Sequence, residues 1–139
     1  FSEKAEANQL EMVVECPQPP VEIYVDGRHL WRIIDNLMGN ICKYAQPGTR
    51  VYITLEKFHG MVIMTFRNIS KDRLKMTSEE LFGRFVRGDS SRNTEGHGLG
   101  LSIAKSLTEL MHGNLAVQMD GDLFKVILSF EEYQEDKKQ

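Results

Sequence analysis

Six short stretches of the chain alternate or cluster apolar residues in the manner of β-strands, and two longer ones repeat them at helical spacing. LEMVVE (10–15) and VEIYVD (21–26) are β-rich and partly alternating, and the CPQPP between them reads as a proline turn. In DGRHLWRIIDNLMGNICKYA, Leu30, Ile34, Leu37 and Ile41 recur at helical spacing, with Asp26 as N-cap and QPG as the stop. RVYITLEKF (50–58) and MVIMTFRN (61–68) flank His59-Gly60, and LAVQMD (115–120) and LFKVILSF (123–130) flank Asp120-Gly121, a strong hairpin signal. A glycine-led helical pattern, EGHGLGLSIAKSLTELMHG (95–113), precedes the last hairpin. Its Ile103, Leu107 and Leu110 are expected to pack inward, and Gly113 is expected at the C′ stop.

This order predicts a single α+β domain, a mixed but mostly antiparallel sheet with helices packed on one face. The polar segment 69–95 is far longer than the usual connection of about 4–6 residues and reads as a lid. The tail EEYQEDKKQ (131–139) is almost without apolar residues and is expected to fray.

Composition narrows the class without naming a function. A chain of 139 residues can bury a core without staples, and 41% hydrophobic with 27% charged residues is ordinary for a soluble globular domain. The net charge of −3 gives no electrostatic reason to expect nucleic acid or an anionic membrane. Cys16 and Cys42 lie far apart and read as reduced thiols. No apolar run approaches the roughly 20 residues of a membrane helix. The chain opens on Phe1 within FSEKAEANQLE and is read as a piece of a longer protein.

At about 100° per residue, Asn36, Asn40 and Lys43 share one edge of the first helix, and Tyr44 lies nearer its apolar stripe. An asparagine offers a carbonyl oxygen suited to Mg²⁺, and a lysine offers a point charge for phosphate. Gly96, Gly98 and Gly100 let the backbone bring N–H groups close to an anion, and the following helix adds its positive end. Each feature alone also fits a blander account, a solvated helix edge and an ordinary loop.

Together, NLMGNICKYA and the later RFVRGDSSRNTEGHGLGLSIAK closely resemble the catalytic, ATP-binding domain of bacterial sensor histidine kinases, over residues from about 10 to 130. The resemblance implies the Bergerat fold, a two-layer α/β sandwich shared with gyrase and MutL-type ATPases, and it implies ATP and Mg²⁺ as cofactors. NLMGN matches the family's N box, which makes Asn40 the Mg²⁺ ligand, with Asn36 one turn earlier on the same wall. Lys43 then approaches the phosphates and Tyr44 flanks the nucleotide. LFGRFVR matches the F box, with Phe82 and Phe85 anchoring the lid and Arg87 near the γ-phosphate. GHGLGL, beginning at Gly96, matches the second glycine box, so the backbones of Gly98, Leu99, Gly100 and Leu101 hold the phosphates. Asn40, Lys43 and Arg87 form the implied catalytic set. One motif departs from the family. Where its first glycine box places an Asp followed by spaced glycines, this chain reads FRNISKDRLKMTSEE, and Asn68 is the expected substitute acceptor for the adenine amino group.

Related ATPases carry a water-activating glutamate four residues before the Mg²⁺ asparagine. Here that position is Asn36, which has no useful basicity, so the site suits phosphoryl transfer to a supplied nucleophile better than hydrolysis. The family's nucleophile is a histidine on a separate dimerisation domain, and none of His29, His59, His97 and His112 stands in such a context. The implied partners are therefore an attached dimerisation domain and, after it, the receiver domain of a response regulator. The implied setting is the cytoplasmic part of a bacterial inner-membrane sensor, with no direct membrane contact. Two readings compete: an anti-sigma-factor serine kinase, against which RFVRGDSSR speaks, and a non-catalytic nucleotide-sensing or partner-binding module, for which the missing first glycine box speaks.

Overall fold

The computed structural model describes residues 9–16, 26–71 and 100–132. In chain order these hold β1 (Glu11–Glu15), α1 (Gly27–Tyr44), β2 (Arg50–Phe58) and β3 (Met61–Ile69), then β4 (Asn114–Asp120) and β5 (Leu123–Glu131). A second helix, α2, precedes β4 and is described over residues 100–110. Of the expected strand at 21–26, Asp26 caps α1 and the rest lies outside the described residues, as do residues 133–139 of the tail.

Local chemistry sets the boundaries. The Asp26 carboxylate accepts a hydrogen bond from the Arg28 backbone N–H at 2.9 Å, which satisfies one free donor of the first turn. That same bond holds the Asp26 carboxyl below its ordinary pKa. At the other end, the Ala45 N–H closes on the Ile41 carbonyl before the chain turns at Gly48, whose φ is +86°. His59 and Gly60 both take positive φ, as a tight two-residue hairpin between right-twisting strands requires.

The five strands lie in the order β1-β2-β3-β5-β4. Three neighbouring pairs are antiparallel, and β1 runs parallel to β2, with Met12 opposite Val51. A parallel pair needs a long crossover, and α1 lies on it. Alternation then puts Met64, Phe66, Phe124, Val126, Leu128, Leu115 and Val117 on one face of the sheet, where they form a single core with Ile33, Leu37 and Ile41 of α1 and Leu101 and Ala104 of α2. This is the expected α+β sandwich with both helices on one face. The opposite face carries Thr54, Thr65, Arg67 and Lys125, and the Arg67 guanidinium lies 5.3 Å from the Tyr52 ring centroid.

Helix packing differs from the apolar stripes in two places. On α1, Ile33, Met38 and Cys42 are buried alongside Leu37 and Ile41, whereas Leu30 and Ile34 are only partly covered. The contact face is therefore wider than one line and centred to one side of it. On α2, the inward line is Leu101, Ala104 and Thr108; Ile103 and Leu107 are half-buried, and Leu110 is 62% exposed rather than inward. Small residues bring the helix close to the sheet, and the Thr108 hydroxyl is satisfied by the Ala104 carbonyl at 2.7 Å.

The stop of α2 is also displaced by one residue. His112, with φ of +66°, occupies the C′ position expected of Gly113. Its N–H bonds to the Glu109 carbonyl at 3.0 Å and the Gly113 N–H to the Thr108 carbonyl at 2.9 Å, the paired closure of a Schellman motif. A histidine there is strained by its Cβ. His112→Gly is expected to stabilise the domain by about 0.5–1 kcal/mol, net of the greater freedom glycine adds to the unfolded chain. Urea unfolding checks this; a lowered midpoint would mean that the His112 side chain does more for the fold than its conformation costs.

Candidate functional site

The polar edge of α1 is only partly solvated, with Asn36 and Asn40 half-buried. Asn36 and Asn40 sit one turn apart, and among the described residues the Nδ2 of each is buried without a hydrogen-bond partner. Two orphaned buried donors, each costing about 1–3 kcal/mol, are an unusual load for one helix edge. Lys43, one turn further on, is exposed, and its Nζ lies 5.4 Å from the Tyr44 ring centroid, a cation–π contact that steers the ammonium over the ring.

Sixty residues later the chain returns to this edge. A Cβ on Gly100 would stand 3.6 Å from Asn40 Oδ1 and 3.9 Å from its Nδ2, so the backbone of α2 runs directly beside the Asn40 amide. Leu101 next to it is fully buried and pins this part of α2 to the core. Two motifs far apart in sequence thus meet across one amide.

The third contribution comes from the end of β3. Asn68 lies on the core-facing side of the strand and is 4% exposed; Ser70, two residues on and so on the same side, is 6% exposed. Together with Asn40, Ile41 and Tyr44 of α1 and Phe124 of β5 they line a crevice of about 10 Å³, the space of roughly one water. Backbone bonds lace its two sides: the Gln46 N–H to the Ile69 carbonyl at 2.7 Å, the Lys71 N–H to the Tyr44 carbonyl at 2.9 Å, and a bridge between Ala45 and Ser70. Ser70 and Phe124 were not among the residues expected from sequence; the signal for Ser70 was its period-two spacing from Asn68.

Phe82, Phe85, Arg87, Gly96, Gly98 and Leu99 lie outside the described residues. A wider hollow of about 630 Å³ lies near Glu15, Thr54, Phe58 and Ile63. None of Asn36, Asn40, Lys43, Tyr44 and Asn68 lines it, so converging polar groups rather than volume identify the crevice as the candidate site. Among the described residues, no helix is long and apolar enough to cross a membrane.

With this geometry in hand, known proteins place the chain. Residues 25–134 match the family described as histidine kinase-, DNA gyrase B-, and HSP90-like ATPase. The probable sensor protein PcoS of Escherichia coli is 39% identical over 107 residues, which cover 74% of this chain and 23% of PcoS. Sensor histidine kinase RppB of Synechocystis sp. is 33% identical over 133 residues, covering 92% of this chain and 29% of RppB. The chain thus spans about a quarter of the length of these relatives. In fold, the nucleotide-free catalytic domain of histidine kinase ThkA superposes with a TM-score of 0.79 at 20% identity, over 95% of this chain and 85% of that domain. On the family match and these relatives, the chain belongs to the histidine kinase-, DNA gyrase B- and HSP90-like ATPase family, as a catalytic ATP-binding domain of the sensor histidine kinase type.

Proposed function

We propose that this domain binds ATP with Mg²⁺ at the crevice beside Asn40 and transfers the γ-phosphoryl group to a histidine of a separate dimerisation domain, for relay to the receiver domain of a response regulator. The observation that carries the reading is the Asn40 amide. It is held against Gly100, and among the described residues its Nδ2 is unsatisfied, an arrangement that weakens the fold and fits a ligand.

The residues fit the proposed groups. Asn40 Oδ1 is a hard, neutral oxygen suited to Mg²⁺, an ion that keeps most of its other positions for water and phosphate. Bound there, the ion neutralises charge on the phosphate oxygens. Lys43 and Arg87 supply the remaining positive charge, and the backbone from Gly96 through Gly98, Leu99, Gly100 and Leu101 holds the phosphates through N–H groups. Tyr44 flanks the nucleotide, Asn68 accepts from the adenine amino group, and Phe82 and Phe85 anchor the lid.

Phosphoryl transfer depends mostly on positioning and charge neutralisation, with little covalent help from the protein. Asn36 stands one turn before Asn40 with a carboxamide and not a base, so water is not activated and the γ-phosphoryl waits for an incoming nucleophile. Of the described histidines, His29 opens α1, His59 occupies the β2–β3 turn and His112 ends α2, and none lines the crevice. The acceptor histidine in this reading comes from elsewhere in a longer, membrane-anchored protein, with this domain on its cytoplasmic side.

Calorimetric titration with ATP, with and without Mg²⁺, tests the reading. Binding that strengthens with Mg²⁺ is expected. No heat at millimolar nucleotide would overturn it and leave a non-catalytic module.

A further inference from the structure

We infer that the hollow at the β2–β3 hairpin end of the sheet is a second binding site, suited to a small organic cation: a primary ammonium on an aromatic or aliphatic body. The hollow holds about 630 Å³, within the range of small-ligand pockets. Strand register places its key side chains on the sheet face opposite the helices. Glu15 pairs with Thr54 and Glu56 with Ile63, and Phe58 follows Glu56 by two residues, hence on the same side. The crevice beside Asn40 and Asn68 lies at the other end and on the other face. Ile63 and Asn68 stand five residues apart along β3, about 17 Å, so a ligand in the hollow leaves the crevice free.

The polar groups of the hollow match an ammonium. Thr54 is only 9% exposed, yet among the described residues no hydrogen bond engages its hydroxyl, an unusual state for a buried polar side chain. Glu15 and Glu56, on either side of it, form no ion pair among the described residues. Lys57, which also lines the hollow, is already neutralised, its Nζ 3.4 Å from Glu132 Oε2. The unbalanced charge of the lining is therefore negative and favours cations over anions. Two carboxylates and one hydroxyl oxygen supply acceptors for the three donors of a primary ammonium. Next to them, the Phe58 ring is 61% exposed and Ile63 is half-buried, an apolar wall for the body of the ligand. An exposed ring face also attracts a cation.

The test is an amide NMR titration of the chain with 2-phenylethylamine, a cation at neutral pH, and with phenylacetate, a similar body of opposite charge. The amine is expected to bind with a Kd on the order of 1 mM, and its shifts to centre on Glu15, Thr54, Glu56, Phe58 and Ile63. Phenylacetate is expected to bind at least about tenfold more weakly. Glu15→Gln combined with Glu56→Gln is expected to weaken the amine about tenfold, the scale for two exposed charges. Thr54→Val, which keeps the shape and removes the hydroxyl, is expected to weaken it about fivefold. Saturating Mg²⁺-ATP is expected to leave the amine shifts in place. Shifts centred elsewhere, equal affinity for phenylacetate, displacement by Mg²⁺-ATP, or unchanged affinity in either variant overturns the inference. So does the absence of shifts in the unaltered chain at ten times the expected amine concentration. If Thr54→Val does not fold, the double glutamine variant, changed only at exposed positions, decides in its place.

Discussion

Asn40→Ala is expected to weaken Mg²⁺-dependent ATP binding by on the order of 100-fold without lowering the thermal midpoint. The two halves of this result have separate causes. In the proposed site Asn40 supplies the one oxygen assigned to Mg²⁺, and its loss would leave the phosphate oxygens without that counter-ion. For the fold, the same side chain is a burden: among the described residues its Nδ2 is buried and unsatisfied, and it sits within α1, where alanine is the better helix former. Removing an orphaned donor relieves a desolvation cost of about 1–3 kcal/mol, against which the lost packing of a small amide weighs. Calorimetry and a thermal melt on one sample read both halves. Retained Mg²⁺ dependence would remove Asn40 from the site, and a marked fall in midpoint would show that its amide serves the fold.

Gly113→Ala is expected to destabilise the domain by about 3 kcal/mol, the upper end of the usual cost of overpacking. A Cβ there would stand 2.5 Å from the nearest Phe130 ring atom and 2.8 Å from the Ser129 carbonyl oxygen. Phe130 is itself buried and lies opposite Val62 in the sheet, so its ring has no free space to enter. The oxygen belongs to β5 backbone, already bonded into the sheet. The chain must therefore move at the junction of α2 and β4. Urea unfolding reads the effect as a lowered midpoint at constant slope. An unchanged midpoint would mean that this junction yields freely. Neighbouring positions thus have opposite expected signs: glycine stabilises at 112 and is required at 113.

The hairpins were legible because their turns need residues that tolerate positive φ, and Gly60 and Gly121 advertise this directly. The α1 N-terminus was legible for a similar reason: Asp26 carries its cap on a short side chain. The depth of each helical residue was not. Spacing shows which residues share a line, but Ile33 and Met38 are buried because sheet and α2 both press on α1. Ala104 and Thr108 carry little hydrophobic signal, yet they face the core since their small size allows close approach. Leu110 is apolar and periodic, and still exposed, because α2 closes into its Schellman turn at that point.

The site was legible in the same uneven way. Helical spacing put Asn36, Asn40 and Lys43 on one edge. No sequence pattern could tell whether that edge is open to water, and the orphaned amides are what separate the two cases. Asn68 was placed by its position at the end of β3, and Phe124 could not be, since its nearness to Tyr44 depends on the β3–β5 register of Asn68 against Phe124.

The lacing of α1 to the end of β3 has a consequence for the heat signature of a ligand. The bridge between Ala45 and Ser70 and the bonds from Gln46 and Lys71 fix Asn40, Tyr44, Asn68 and Ser70 as one pre-organised wall. That wall orders when the domain folds and not when a nucleotide arrives, so it contributes little to the entropy of association. Whatever ordering entropy a titration detects then reports on the rest of the nucleotide's surroundings, and variants in this wall should shift the enthalpy of binding far more than the entropy.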